Sequence, residues 1–163
     1  MNLRTAMAAV LSVGILVFAG CGQAGNNAQG AVDAGAWSIE VEVVGQAPVK
    51  FTNEDATKIG PVEIKAAQKD GDTFKEENTY TGILIHDFLD YLGVDGFSVI
   101  AVEAADGYSN EFAPKDVSED GMGLSWAMNG KKLDGDSGPI LLVNDGRGPK
   151  HWIKQVSKIT IIK

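Results

Sequence analysis

Apolar and polar positions alternate where the chain's first long pattern begins, with Trp37, Ile39, Val41 and Val43 set against Ser38, Glu40 and Glu42. That period of two predicts a strand with one wet face. Val62, Ile64 and Ala66 repeat it. Ser98 to Ala104 (SVIAVEA) and Ile140 to Val143 (ILLV) are apolar at nearly every position and predict strands buried on nearly both faces. Leu84, Ile85, Phe88, Leu89 and Leu92 fall instead at helical spacing, and Gly93 stands where a left-handed residue would end that helix. Thr52 and Asp55 have capping-box spacing, which opens a helix of little more than two turns before Gly60-Pro61 stops it. Asp106-Gly107-Tyr108 and Asn129-Gly130 punctuate the apolar runs, the second with the strongest short hairpin signal. Lys69 to Asn78 is nearly all polar and predicts an exposed loop or hairpin tip. The pattern as a whole predicts a β-rich core.

The first residues follow a different logic. Arg4, the apolar run from Ala6 to Phe18, and Ala19-Gly20 before Cys21 have the layout of an export signal. The apolar run is too short for a comfortable transmembrane span. This layout resembles a bacterial lipoprotein signal with Cys21 as the lipidated first residue, although Phe18 stands where Leu is usual. An ordinary signal peptide with a spare cysteine, or an uncleaved anchor, are the other readings. Gly22 to Gly35 is Gly, Ala, Asn and Gln with one charge, too poor in apolar residues to bury a core. The expected organisation is therefore a leader over 1–20, a tether over 21–36 and one domain over 37–163, exported and lipid-anchored to a bacterial membrane.

Composition narrows the partners. The 163 residues include 44% hydrophobic ones, enough for one domain with a core. Losing Met1–Gly20 removes Arg4 from the 14 basic residues and none of the 22 acidic ones, which leaves a charge of −9. Nucleic acid is not an expected partner. Cys21 is the chain's one cysteine, so the domain has no internal disulfide and no thiolate metal ligand.

Three groups of residues invite chemistry. His86 and Asp87 are neighbours on the predicted helix, but adjacent helix residues do not face each other, and a solvated helix face is the plainer reading. Two histidines with no nucleophile motif beside them also argue poorly for a hydrolase. Asp106 and Tyr108 can line a cleft at a strand end or simply build a turn, Asp capping it and Tyr packing its ring. Trp126 and Trp152 read as core or rim aromatics rather than stacking platforms. Beyond Asp145 the chain has no acid, while Arg147, Lys150, Lys154, Lys158 and Lys163 are basic with His151 among them. Gly146 to Gly148 leaves backbone amides free to approach a phosphate. The candidates for an anion site are thus Arg147, Lys150, His151 and Lys154, against the reading of a final amphipathic strand with solvated charges.

Taken in order, Trp37 to Gly45 with Phe51-Thr52, Tyr80-Thr81-Gly82 before Leu84 and Asp87 to Leu89, Asp106-Gly107-Tyr108, Asn129-Gly130 with Leu133, Gly138-Pro139 before an apolar strand, and Gly148 to Lys154 resemble the molybdopterin-binding domain of the sulfite oxidase superfamily. The resemblance implies an α+β domain in which strands outweigh short helices. It also implies a cysteine ligand to molybdenum in the stretch matching Val62 to Lys75, where this chain has none, and an Arg after the Gly-Pro turn, where this chain has Ile140, Leu141 and Leu142. Basic residues near the cofactor phosphate match Lys150 and Lys154 best, in a segment one residue longer here. Both departures remove cofactor chemistry, because a soft, high-valent metal needs a thiolate's charge donation. The expectation is a degenerate, non-catalytic module with no metal, holding a small anionic ligand or a partner protein. The alternative is an oxidoreductase or electron-transfer component that still binds the pterin, with a redox partner.

Overall fold

The computed structural model of the chain describes residues 33–117 and 120–163. The expected leader, Cys21 and most of the tether lie outside these residues.

The chain runs β1 (Ser38–Val43), β2 (Val49–Thr52), α1 (Asn53–Ile59), β3 (Val62–Ala66), β4 (Lys69–Asp70), β5 (Thr73–Phe74), β6 (Asn78–Leu84) and α2 (Ile85–Tyr91). It continues through β7 (Val99–Ala104), β8 (Ser109–Phe112), a 3₁₀ turn η1 (Pro114–Asp116), β9 (Met122–Met128), β10 (Lys131–Lys132), β11 (Leu141–Asn144), a second 3₁₀ turn η2 (Pro149–His151) and β12 (Val156–Ile162). The local signals behave as their chemistry requires. Thr52 caps α1, and the Asp55 carboxylate returns to the Thr52 amide at 3.0 Å. Asp55 also takes bonds from Lys58 and from the Tyr91 hydroxyl, both at 2.9 Å, which ties α1 to α2. Lys58 foremost, then Thr52, holds this carboxyl well below the usual carboxylate range. Gly93, at φ 67°, ends α2, and Asn129 and Gly130, both at positive φ, close the β9–β10 hairpin.

Two sheets carry the domain. The first has the order β2-β1-β12-β7-β8, in which β1 and β12 run parallel and every other pair antiparallel. The second has the order β10-β9-β6-β3, with β11 also paired to β9. The main core lies between them and the helices, with Ile39, Val102, Ile159, Leu124, Leu142 and Phe88 buried there. Phe51 packs edge-on against Phe88 at 5.0 Å and Tyr91 at 5.9 Å, so α2 is pinned by aromatic contacts as well as area. A second, smaller cluster of Ile64, Ala66, Tyr80, Leu133, Leu141, Val143 and Trp152 covers the other face of the second sheet. β11 shows the result: Leu142 enters the main core while Leu141 and Val143 enter the second cluster, so the strand is buried on both faces as ILLV predicts.

β7 departs from expectation. Ile100, Val102 and Ala104 are buried, but Val99 and Ala101 are half-buried and Glu103 is exposed. Among the described residues no layer covers that face of the first sheet. Its neighbour β12 instead carries Lys158, whose ammonium lies 3.0 Å from Glu40 and 2.9 Å from Glu42 across the parallel ladder. The two carboxylates, Glu42 first, raise the lysine's pKa. Lys158 is thus tied to the outer face of the first sheet by two carboxylates.

Candidate functional site

A cleft of about 410 Å³ opens over the second cluster. Its apolar side is Tyr80, Met128, Leu133, Leu141, Pro149 and Trp152; its polar side is Gln68, Lys75, Glu76, Asn78, Ser137 and Lys154. The residues arrive there for local reasons. Ala67 donates its amide to the Asp145 carboxylate at 2.8 Å, and Lys69 donates to the Arg147 carbonyl at 3.0 Å, so the 145–147 loop fixes the base of the β4–β5 hairpin. That hairpin brings Gln68 beside Lys75, whose ammonium donates to the Gln68 side chain at 2.6 Å. Trp152 sits edge-on to Tyr80 with centroids 5.6 Å apart and donates its indole N–H to the Arg147 carbonyl. Burial raises the Tyr80 phenol above its ordinary pKa, keeping it a neutral donor.

The cleft lining carries two cations and one carboxylate. Among the described residues, neither Lys75 nor Lys154 has a carboxylate within ion-pair distance, although the domain pairs Lys58, Arg147 and Lys158 with acids. Glu76 lines the same cleft without pairing to either lysine. Two cationic heads at the rim of an apolar hollow suit an anion with an apolar body.

Of the four basic candidates from the end of the chain, Lys154 lines this cleft; Arg147, Lys150 and His151 do not. The η2 turn separates them. Pro149 and Trp152 face the cleft, while the Lys150 carbonyl and the His151 ring face β8: Asn110 donates to the Lys150 carbonyl at 2.9 Å and lies 3.3 Å from the His151 Nδ1. The His151 ring packs on Phe112 at 5.9 Å. Arg147 lies 3.6 Å from Asp116. The four residues thus form two groups rather than one converging site. Desolvation, then Lys150 and Arg147, push the His151 imidazole below its ordinary pKa, with Asp116 opposing.

Asp106 and Tyr108 build their turn as the plainer reading has it. Asp106 accepts the Tyr108 amide at 2.9 Å, Gly107 takes φ 87°, and the Tyr108 hydroxyl donates to the Lys150 carbonyl at 3.2 Å. Asp106 also lines a depression of about 300 Å³ with Asp136, Lys154 and Gln155, so Lys154 stands between this depression and the cleft. His86 differs from expectation, since its Nε2 lies 3.1 Å from the Asp87 carboxylate despite their adjacency. They meet in the first turn of α2, where both side chains are partly exposed and free to fold back. The pair lies apart from the cleft lining. Lys75 and Gln68 carry no periodicity that marks them as site residues, and Tyr80 enters the sequence pattern only through the Tyr80-Thr81-Gly82 motif.

A two-sheet α+β domain with a half-apolar, lysine-rimmed cleft is the class that this architecture defines. Residues 26–163 match the family described as the oxidoreductase molybdopterin binding domain, and the chain belongs to that family. Among solved structures it is similar to the crystal structure of the sulfane dehydrogenase SoxCD from Paracoccus pantotrophus, with a TM-score of 0.62 and 21% identity over 77% of this chain. The match spans 38% of the SoxCD chain, and the likeness is one of fold. No curated protein matches.

The family name implies molybdopterin, and the residues present do not fit its metal. The cleft offers amides, amines, one carboxylate, a phenol, a hydroxyl and the neutral thioether of Met128, but no thiolate and no imidazole. Among the described residues no three His, Cys, Asp or Glu side chains are grouped to hold a metal ion. Molybdenum held here would take no thiolate ligand from the protein.

Proposed function

We propose that this domain is a membrane-anchored, degenerate relative of the molybdopterin oxidoreductases that binds a small amphipathic anion in the cleft beneath Lys75 and Lys154. The observation that carries this reading is the pair of lysines over an apolar floor, without an ion-paired acid among the described residues, in a chain with 22 acidic and 14 basic residues. The absent thiolate supports the loss of molybdenum chemistry, and the layout around Cys21 supports attachment by lipid. A redox or other partner protein reaching the exposed cleft is compatible with the same surface.

Two measurements test the reading. Protein made in a host with a working cofactor pathway is expected to contain neither stoichiometric molybdenum nor pterin after denaturation. The aromatic sulfonate 8-anilinonaphthalene-1-sulfonate is expected to bind, to bind more weakly as salt rises, and to lose affinity in Lys75→Gln and Lys154→Gln. An equimolar content of metal and pterin would overturn the degenerate reading. It would favour the second one, a pterin-binding oxidoreductase or electron-transfer component, which the family match over 26–163 supports.

A further inference from the structure

Two residues other than glycine adopt positive φ among those described, Asn129 and Gln155. Asn129 belongs to its hairpin turn, where that conformation is ordinary. Gln155, at φ 50°, has no such reason in its own chemistry, since glutamine gains nothing locally from the left-handed region. Its surroundings impose the conformation. The Gln155 carbonyl accepts the Ala105 amide at 2.9 Å, and its side-chain Nε2 donates to the Gly135 carbonyl at 3.1 Å. Immediately after it the β12–β7 register breaks between Val156 and Lys158.

Backbone strain held by tertiary bonds is informative when it sits beside a site. Gln155 follows Lys154, the lysine shared by the cleft and the neighbouring depression, and its side chain grips the 133–139 loop, from which Leu133 and Ser137 line the cleft. We infer that Gln155 is a positioning residue: it turns the chain so that Lys154 faces the cleft and fastens the Leu133–Ser137 wall to the lysine's base. This rests on the anion reading above. It assigns to a residue outside the cleft lining the orientation of the charge that recognises the ligand.

The test is a double-variant cycle in the full chain, with 8-anilinonaphthalene-1-sulfonate as the probe. Gln155→Gly keeps the backbone conformation and removes the tie to Gly135. It is expected to weaken probe binding about fivefold in the wild-type background and by less than about twofold beside Lys154→Gln, because the effect passes through that lysine. Gln155→Asn, which also tolerates the left-handed region but is one methylene shorter, is expected to behave like Gln155→Gly and serves if the glycine variant fails to fold. Equal losses in both backgrounds, or wild-type affinity in Gln155→Gly, overturn the inference while leaving the anion reading intact. If Lys154→Gln itself leaves probe affinity unchanged, the anion reading falls and the inference falls with it.

Discussion

Ser125 is fully buried in β9, opposite Leu141 on one side and Gly82 on the other, and among the described residues its hydroxyl has no hydrogen-bond partner. The strands crowd here: a Cβ on Gly82 would collide with the Leu124 carbonyl and Ser125 Cα. A buried hydroxyl without a partner keeps its desolvation cost, so Ser125→Ala is expected to raise stability by about 1 kcal/mol. Urea denaturation with an unchanged m-value checks it, and a loss of stability would show that the hydroxyl is bonded after all. At this scale the sequence is informative wherever one residue's chemistry dictates one conformation. Thr52 with Asp55, Asn129 with Gly130, and Gly93 are all such cases, and each stands in the fold as its chemistry requires. Gln155 is the counterexample, since bonds to residues 20 and 50 positions away along the chain decide its geometry.

The elements near the end of the chain show why a site was harder to read than a strand. The acid-free run after Asp145 and the amides of Gly146 to Gly148 supported one anion site, while strand alternation supported solvated charges. The η2 turn and the bend at Gln155 part these residues, setting the Lys150 carbonyl and the His151 ring toward β8 and Lys154 toward the cleft. His151 gains a different significance from that placement. Its folded-state pKa is lowered, so the unfolded chain takes up the proton more readily than the folded one. The stability this contributes is complete above the ordinary histidine value of 6.5 and declines as pH falls through it toward the lower folded value. Protonation also places a donor opposite the Asn110 amide group. The melting temperature is therefore expected to fall as pH drops from about 7.5 to about 5, and to fall less in His151→Gln. Equal slopes for the two proteins would remove His151 from the account.

On the scale of the whole molecule, the family and the β-rich architecture were legible because short turn motifs occur in a fixed order, each with its own backbone demand. The covering of the second sheet on both faces was only partly legible: ILLV announced it in β11, whereas Tyr80 and Trp152 gave no sign of meeting. Charge asymmetry belongs to this scale too, since the cleft lysines are conspicuous only against a net charge of −8. So does the proposed attachment to a membrane. Metabolic labelling with palmitate is expected to mark the wild type and not Cys21→Ala; an unlabelled wild type would remove the anchor from the proposal.

The parallel pairing of β1 with β12 has a consequence in time. These strands stand side by side near the middle of the first sheet, yet Glu40 and its partner Lys158 belong to opposite ends of the domain. While a ribosome is still making the chain, β1 and β7 have no strand to join them, and the sheet exists as two unconnected edges. Local hairpins and the second sheet can form early, but the main core stays open to water until β12 emerges. The last of the described strands is thus the one that closes the fold, and a chain without it keeps the first sheet in two halves and the main core open.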